Sequence, residues 1–113
     1  MKIRVNDVAA VLGLTFAAGE GGGDREITGG CVGDLLSWVM AHAKPGDAWV
    51  TVMGNVNAVA VASLTDCACI ILADSAELDP EAAAKAEARD VVVLRGEQSA
   101  FQIVKGIIEN GIG

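Results

Sequence analysis

The sequence predicts a single three-layer α/β/α domain on a mostly parallel sheet of about four or five strands. Four short apolar runs start at residues 27, 49, 69 and 91, about 21 residues apart. A helical pattern follows each run, and strands that alternate with helices in this way are typical of βαβ units. Much of the 52% hydrophobic content is Ala and Val rather than aromatic residues, which suits tightly packed layers of strand and helix.

The predicted strands occupy residues 26–31, 49–53, 69–73 and 91–94. The third and fourth are continuous apolar runs, as expected where helices cover both faces of a sheet. The predicted helices occupy residues 34–43, 57–64, 80–89 and 98–110. Asp79 followed by Pro80 indicates a helix start, and either Asn55 or Asn57 is a candidate N-cap.

The first 23 residues differ from this repeat. Asn6 to Gly13 reads as a short capped amphipathic helix, residues 15–18 as a short strand, and residues 19–23 as a Gly-rich turn. No basic helix follows, so the first helix is interpreted as a packing helix rather than part of a DNA-binding unit. Residues 1–113 are therefore treated as one domain, in which residues 24–113 carry the strand–helix repeat.

Composition excludes several classes of protein. The net charge of −7, from 15 acidic and 8 basic residues, argues against a nucleic-acid or anionic-membrane partner. No apolar run approaches the roughly 20 residues that a membrane-spanning helix needs. The chain opens without the apolar segment of a secretory signal, and its three cysteines lack CxxC spacing, so we expect a reduced cytoplasmic protein without a metal site.

The most distinctive segment is residues 24–37, where Gly29-Gly30 is predicted to end a strand and Gly33 to open a helix. The spacing GGxxG differs from the dinucleotide fingerprint GxGxxG. Asp34 also places a negative charge where a phosphate would bind, so we expect no dinucleotide and no other cofactor. The alternative interpretation of the glycines is a strand-to-helix turn that needs them for steric reasons.

This segment resembles the DRTGG domain family. Asp24-Arg25 is followed after two residues by Thr28-Gly29-Gly30, and the similarity continues through Gly33-Asp34-Leu35-Leu36-Ser37. It extends to the segments 49–51, 55–64 and 70–72 and to the last helix near Phe101, which is nearly the whole chain.

The resemblance implies an α/β domain similar to the N-terminal domain of bacterial HPr kinase/phosphorylase. Family members occur alone or as modules of phosphotransacetylases and of pyrophosphatases that also carry CBS domains. The family has no established activity of its own, so the resemblance implies a regulatory or interaction module. A kinase function is not implied for this chain, because it contains no GxxxxGK[ST] phosphate-binding loop.

A candidate ligand site follows from the predicted strand ends. Ligands of open parallel sheets bind beyond the carboxyl ends of the strands. We expect Gly29-Gly30, Gly54-Asn55, Asp74-Ser75 and Arg95-Gly96 to lie there together. The candidate ligand-binding residues are Thr28, Gly29, Gly30, Gly54, Asn55 and Asn57. Helix capping and turn formation remain the alternative role of the two asparagines.

The sequence shows no catalytic constellation. His42 is the only histidine, and no nucleophile stands at a GxSxG elbow. Trp38 and Trp49 are candidate subunit-interface residues, with burial in the core as the alternative. We therefore expect a non-catalytic cytoplasmic regulatory or protein-interaction module that acts as a homodimer. The alternative is a sensor of a nucleotide-like or phosphate-bearing metabolite at the carboxyl ends of the strands.

Overall fold

The computed structural model describes residues 2–112 and confirms the mixed α/β class. Five strands form one sheet in the order β1-β5-β4-β3-β2. Strands β2 to β5 run parallel, and β1 joins β5 in antiparallel orientation. The strands are β1 Thr15–Ala18, β2 Gly29–Val32, β3 Asp47–Thr51, β4 Cys69–Leu72 and β5 Val93–Arg95.

Five helices cover the two faces of this sheet. They are α1 Val5–Leu12, α2 Leu36–His42, α3 Val56–Thr65, α4 Pro80–Arg89 and α5 Ala100–Glu109, with a 3₁₀ turn at Glu20–Gly22. Helices α1 and α5 pack on one face, and α2, α3 and α4 pack on the other. Because helices cover both faces, every residue of β3 and β4 is buried, and for β4 the continuous apolar sequence predicts this burial.

The ends of the helices follow the capping rules. Asn55 is the N-cap of α3, and its Oδ1 accepts the backbone N–H of Ala58 at 2.9 Å. Ser99 and Gln102 form a reciprocal capping box at the start of α5. Asp79 precedes Pro80 as predicted, although its side chain makes no capping hydrogen bond.

The first predicted strand is displaced. The sequence places it at residues 26–31, whereas β2 begins at Gly29 and ends at Val32. Residues 26–28 instead connect the 3₁₀ turn to the sheet, and Glu26 makes an isolated bridge with Arg4. This shift moves Gly29-Gly30 from the expected end of the strand to its start.

Candidate functional site

The expectation that Gly29-Gly30 lies beside Gly54-Asn55 is wrong. Gly29 begins β2 and pairs with Asp47, the first residue of β3, so the glycine pair lies at the amino ends of the parallel strands. Gly54 and Asn55 follow β3 and lie at the carboxyl ends. The six candidate ligand residues are therefore divided between opposite ends of the sheet, because the strand starts later than the apolar pattern suggests.

At the amino ends of the strands, residues of the segment 24–37 that resembles the DRTGG family, here called the motif, connect neighbouring parts of the backbone. The Arg25 guanidinium donates through Nη1 to the Cys67 carbonyl at 2.8 Å and through Nη2 to Asp66 Oδ1 at 3.0 Å. These contacts join the segment before β2 to the start of β4. The carbonyl of Asp24 accepts a hydrogen bond of 2.9 Å from Arg4, which fixes the same segment to the start of α1.

The first motif glycine has a steric cause within the chain. An ideal Cβ at Gly29 would lie 2.8 Å from Asp47 Oδ1, closer than a side chain tolerates. Asp47 is buried and accepts the Lys44 backbone N–H at 2.9 Å, so its carboxylate cannot easily move away. At Gly30 the nearest atom to a Cβ would be the Ala48 carbonyl oxygen at 3.6 Å, an ordinary contact. The fold therefore requires glycine at the first position and accepts alanine at the second.

Thr28, Gly29 and Gly30 line a shallow polar pocket of about 360 Å³ that His42 and Lys44 also reach. Thr28 Oγ1 approaches the Pro45 carbonyl at 3.4 Å. Its side chain also occupies the space that a Cβ at Gly46 would need, and Gly46 adopts a left-handed φ of +85°. These contacts explain Thr28 as a residue that packs against the turn at Pro45 and Gly46.

At the carboxyl ends of the strands, the candidate residues serve local structure. A Cβ at Gly54 would collide with the Glu77 carbonyl, because the loop before α4 crosses directly over this glycine. Asn55 is engaged as the α3 cap, and Asn57 is exposed in the first turn of that helix. Asp34 accepts the Thr51 hydroxyl at 2.7 Å and the Val52 backbone N–H at 3.0 Å, so it joins the ends of β2 and β3.

The two tryptophans lie in opposite environments. Trp49 is fully buried in the core, and its indole N–H donates to the Gly33 carbonyl at 2.9 Å. A partner cannot contact that ring, so the prediction of Trp49 as an interface residue is wrong. Trp38 is exposed on α2 and stacks on His42, with the ring centroids 4.2 Å apart. Trp38 therefore remains available to a partner, and His42 is part of this surface stack.

The three cysteines are buried free thiols. Burial, with a contribution from neighbouring Cys67, raises the pKa of Cys69 to about 12. Burial also raises the pKa values of Cys31 and Cys67. A nucleophilic cysteine needs a depressed pKa, so these thiols belong to the core.

A polar pocket of about 410 Å³ opens at the carboxyl ends of β4 and β5. Its walls come from the turn after β4, from the end of β5 with the turn after it, and from the residues at the start of β1, through Gly13, Thr15, Ser75, Arg95, Gly96, Glu97 and Gln98. The sequence places Ser75 and Arg95 at this end of the sheet but does not predict that Thr15 joins them. Thr15 lies at this pocket because β1 pairs antiparallel with β5, which places Thr15 opposite Arg95.

A second feature that the sequence interpretation missed is an apolar groove between α5 and the edge strand β2. The groove has a volume of about 190 Å³ and is lined by Val32, Val104, Ile108 and Ile112, among others. Phe101 is 81% exposed on the same helix, and Ile108 is 58% exposed. The sequence signal for this groove is the spacing of Phe101, Val104 and Ile108. These residues form a second apolar stripe on α5, beside the buried stripe of Ile103 and Ile107.

Residues 2–112 contain no group of three or more His, Cys, Asp or Glu side chains placed to hold a metal ion. None of the helices described for them is long and apolar enough to cross a membrane.

At the level of sequence, no protein family and no curated protein matches the chain. Its fold is similar to the crystal structure of the CBS and DRTGG domains of the regulatory region of Clostridium perfringens pyrophosphatase, complexed with the activator diadenosine tetraphosphate. The TM-score is 0.71 at 12% identity, over 89% of this chain and 44% of that chain. The chain thus spans less than half the length of the structure it matches, and the likeness establishes a shared fold.

Proposed function

We propose that this protein is a non-catalytic regulatory and protein-interaction module of the cytoplasm that acts as a homodimer and belongs to the DRTGG family. The family assignment is supported by the motif segment and by a fold shared with a regulatory region that contains DRTGG domains. The interaction role depends on one observation, the exposed apolar stripe of α5 beside the groove.

The groove exists because the two faces of the sheet are covered unequally. Within residues 2–112, three helices pack on one face and two on the other, and none of them covers the α5 side of the edge strand β2. Val32 is 48% exposed there, although it lies in a β-strand next to the core. Exposed contiguous apolar surface rimmed by polar residues marks interaction sites.

We expect a second copy of the chain to cover this surface. Phe101 and Ile108 are seven residues apart, about two helical turns or roughly 10 Å. If two α5 helices pack antiparallel about a two-fold axis near Val104, the Phe101 ring of each copy meets the groove beside Ile108 of the other. The helix therefore carries both a projecting ring and a receiving groove, which is the self-complementarity that a two-fold interface requires.

Lys105 and Glu109 are exposed on the flank of α5. With the two-fold axis near Val104, Lys105 of one copy lies roughly 8 to 9 Å along the helix axis from Glu109 of the other and nearer to its Lys105, so the apolar stripe and not the flanking charges supports the interface. The contact area is that of one short helix and one edge strand, so we expect a reversible dimer.

Sedimentation velocity and light scattering across micromolar concentrations test the dimer. We expect the wild-type chain to sediment as a dimer, and Phe101→Asp and Ile108→Asp to sediment as folded monomers, because both side chains are exposed in one copy. Leu64→Asp is the matched control, since Leu64 is 70% exposed on α3 on the other face. A monomeric wild type, or dimers of both α5 variants, would refute the proposed interface.

The alternative is a small-molecule sensor, which the pocket at the carboxyl ends of β4 and β5 favours. The structurally similar regulatory region binds a nucleotide activator. A sensor is stabilised by its ligand in proportion to the logarithm of ligand concentration, whereas a dimer is stabilised by protein concentration. The melting temperature measured against each concentration separately distinguishes the two functions.

A further inference from the structure

We infer that the pocket at the carboxyl ends of β4 and β5 binds the single oxyanion of a small metabolite, a carboxylate or a phosphate monoester, through the guanidinium of Arg95. This inference names the ligand chemistry for the sensor alternative and is independent of the α5 groove. The observations that support it are the fixed orientation of Arg95, the geometry of the turn that fixes it, and the polar lining of the pocket.

Arg95 is held by one side of its guanidinium only. Its Nε donates to the Ala76 carbonyl at 3.0 Å, and its Nη2 donates to the Ser75 carbonyl at 2.8 Å. Nη1 and the second hydrogen of Nη2 have no acceptor among residues 2–112, and Arg95 forms no ion pair with an acid of that range. The unpaired side of a guanidinium presents two parallel N–H groups, the arrangement that matches two oxygens of a carboxylate or phosphate.

The turn that positions Arg95 has an uncommon backbone. Asp74 and Ser75 both adopt a left-handed φ, of 55° and 56°, and the Ala76 N–H donates to the Ala73 carbonyl at 3.0 Å. A turn with two positive φ values favours glycine, yet serine stands at the second position. The Ser75 N–H bonds to the Gly96 carbonyl and the Asp74 N–H to the Gln98 carbonyl, which lock the turn onto the loop after β5. Strained turns that other contacts maintain occur at ligand sites, and this one aims its carbonyls at Arg95.

The pocket limits the charge of the ligand. Arg95 is the only cationic residue among those that line the pocket, and Glu97 is the only acidic one. One cation and one acid disfavour a polyphosphate, whereas a single oxyanion pairs with Arg95 in a pocket that Ser75, Thr15 and Gln98 also line. The position also agrees with the general location of ligands in open parallel sheets, beyond the carboxyl ends of the strands.

Amide NMR titrations test the site with two pairs of probes. AMP is compared with adenosine, and pyruvate with acetone, so that each oxyanion has a match without it. We expect AMP or pyruvate to shift the amides of Ser75, Gly96 and Gln98, with no such shift from adenosine or acetone. The pair that responds distinguishes a phosphate from a carboxylate.

Two variants assign the effect to this pocket. Arg95→Gln should weaken binding at least about tenfold, the loss of one charge-assisted contact. Glu97→Gln should strengthen binding about threefold, because it removes the repulsion between the Glu97 carboxylate and the bound oxyanion. The effect is small because Glu97 is exposed and solvent screens its charge. If Arg95→Gln does not fold, Glu97→Gln still decides the question. Equal shifts from both members of each pair, no shift from any probe, or binding unchanged in Glu97→Gln would overturn the inference. The titration is repeated on Ile108→Asp, the variant expected to be a monomer. The result for this pocket then does not depend on whether the chain forms a dimer.

Discussion

At the scale of single residues, the motif glycines have different causes. Gly29 is surrounded by the Asp47 carboxylate, which is itself buried and hydrogen-bonded, whereas Gly30 has space for a side chain. Sequence alone presents the two as an equivalent pair. Only the pairing of β2 with β3 separates a glycine that the fold requires from one that it merely accepts.

This difference predicts unequal effects of alanine. Gly29→Ala should lower the free energy of unfolding by about 1–3 kcal/mol, the range for an overpacked site. Gly30→Ala should leave stability unchanged or raise it by up to about 1 kcal/mol, since alanine restricts the unfolded chain more than glycine does. Urea unfolding of both variants measures the two values, and equal losses would contradict the steric explanation.

At the scale of elements, β4 contributes a pH dependence through Cys69. Its thiol has a pKa raised to about 12 in the folded state, against an ordinary value of 9.0. Below pH 9 the thiol is protonated in both states and adds no pH dependence. Above that pH the unfolded chain releases the proton while the folded chain keeps it, so the unfolded state is favoured progressively.

We therefore expect Cys69 to reduce stability as pH rises from about 9 towards 12, by about 1.4 kcal/mol for each pH unit. Urea unfolding of the wild type and of Cys69→Ala at several alkaline pH values gives this contribution by difference, because every other ionisable group is present in both proteins. The variant should be less stable near neutral pH and lose stability more slowly above pH 9. Parallel pH profiles would show that Cys69 is not the source.

At the scale of the whole molecule, the N-terminal segment is part of the sheet and core. Strand β1 covers the free side of β5, and α1 packs against α5. Val5 and Val8 of α1 are buried in the same cluster as Ile103 of α5. Residues 2–23 therefore pack into the same sheet and core as the following residues, although their sequence lacks the strand–helix repeat.

This integration predicts a contrast between two valines of α1. Val8 is 2% exposed and Val11 is 61% exposed. Val8→Asp should remove cooperative unfolding, because burying an unpaired carboxylate costs several kcal/mol in a domain of marginal stability. Val11→Asp should change the free energy of unfolding by no more than about 0.5 kcal/mol. Circular dichroism during thermal unfolding compares them, and cooperative unfolding of Val8→Asp at the wild-type temperature would refute the role of α1.

The fold was largely predictable, because burial on both faces of a sheet leaves continuous apolar runs in the sequence. The α4 helix at Pro80–Arg89 and the β1 strand at Thr15–Ala18 match their predicted ranges, and Asn55 caps α3 as one of its two candidates. The site was less predictable. The sequence predicts β2 a few residues too early, because local sequence marks the two ends of a strand in similar ways. Gly29-Gly30 therefore lies at the amino ends of the parallel strands and not at their carboxyl ends.

Sequence was sufficient for the class of fold, since periodicity, glycine and capping residues are local properties. It could not distinguish Trp49 from Trp38, because the burial of a ring depends on which helices lie over it. Tertiary structure alone decided that Thr15, Ser75 and Arg95 surround one pocket and that Phe101 and Ile108 flank an uncovered strand. The physical reason is that both surfaces are assembled from segments distant in the chain, and strand order, which no local pattern encodes, sets their neighbours.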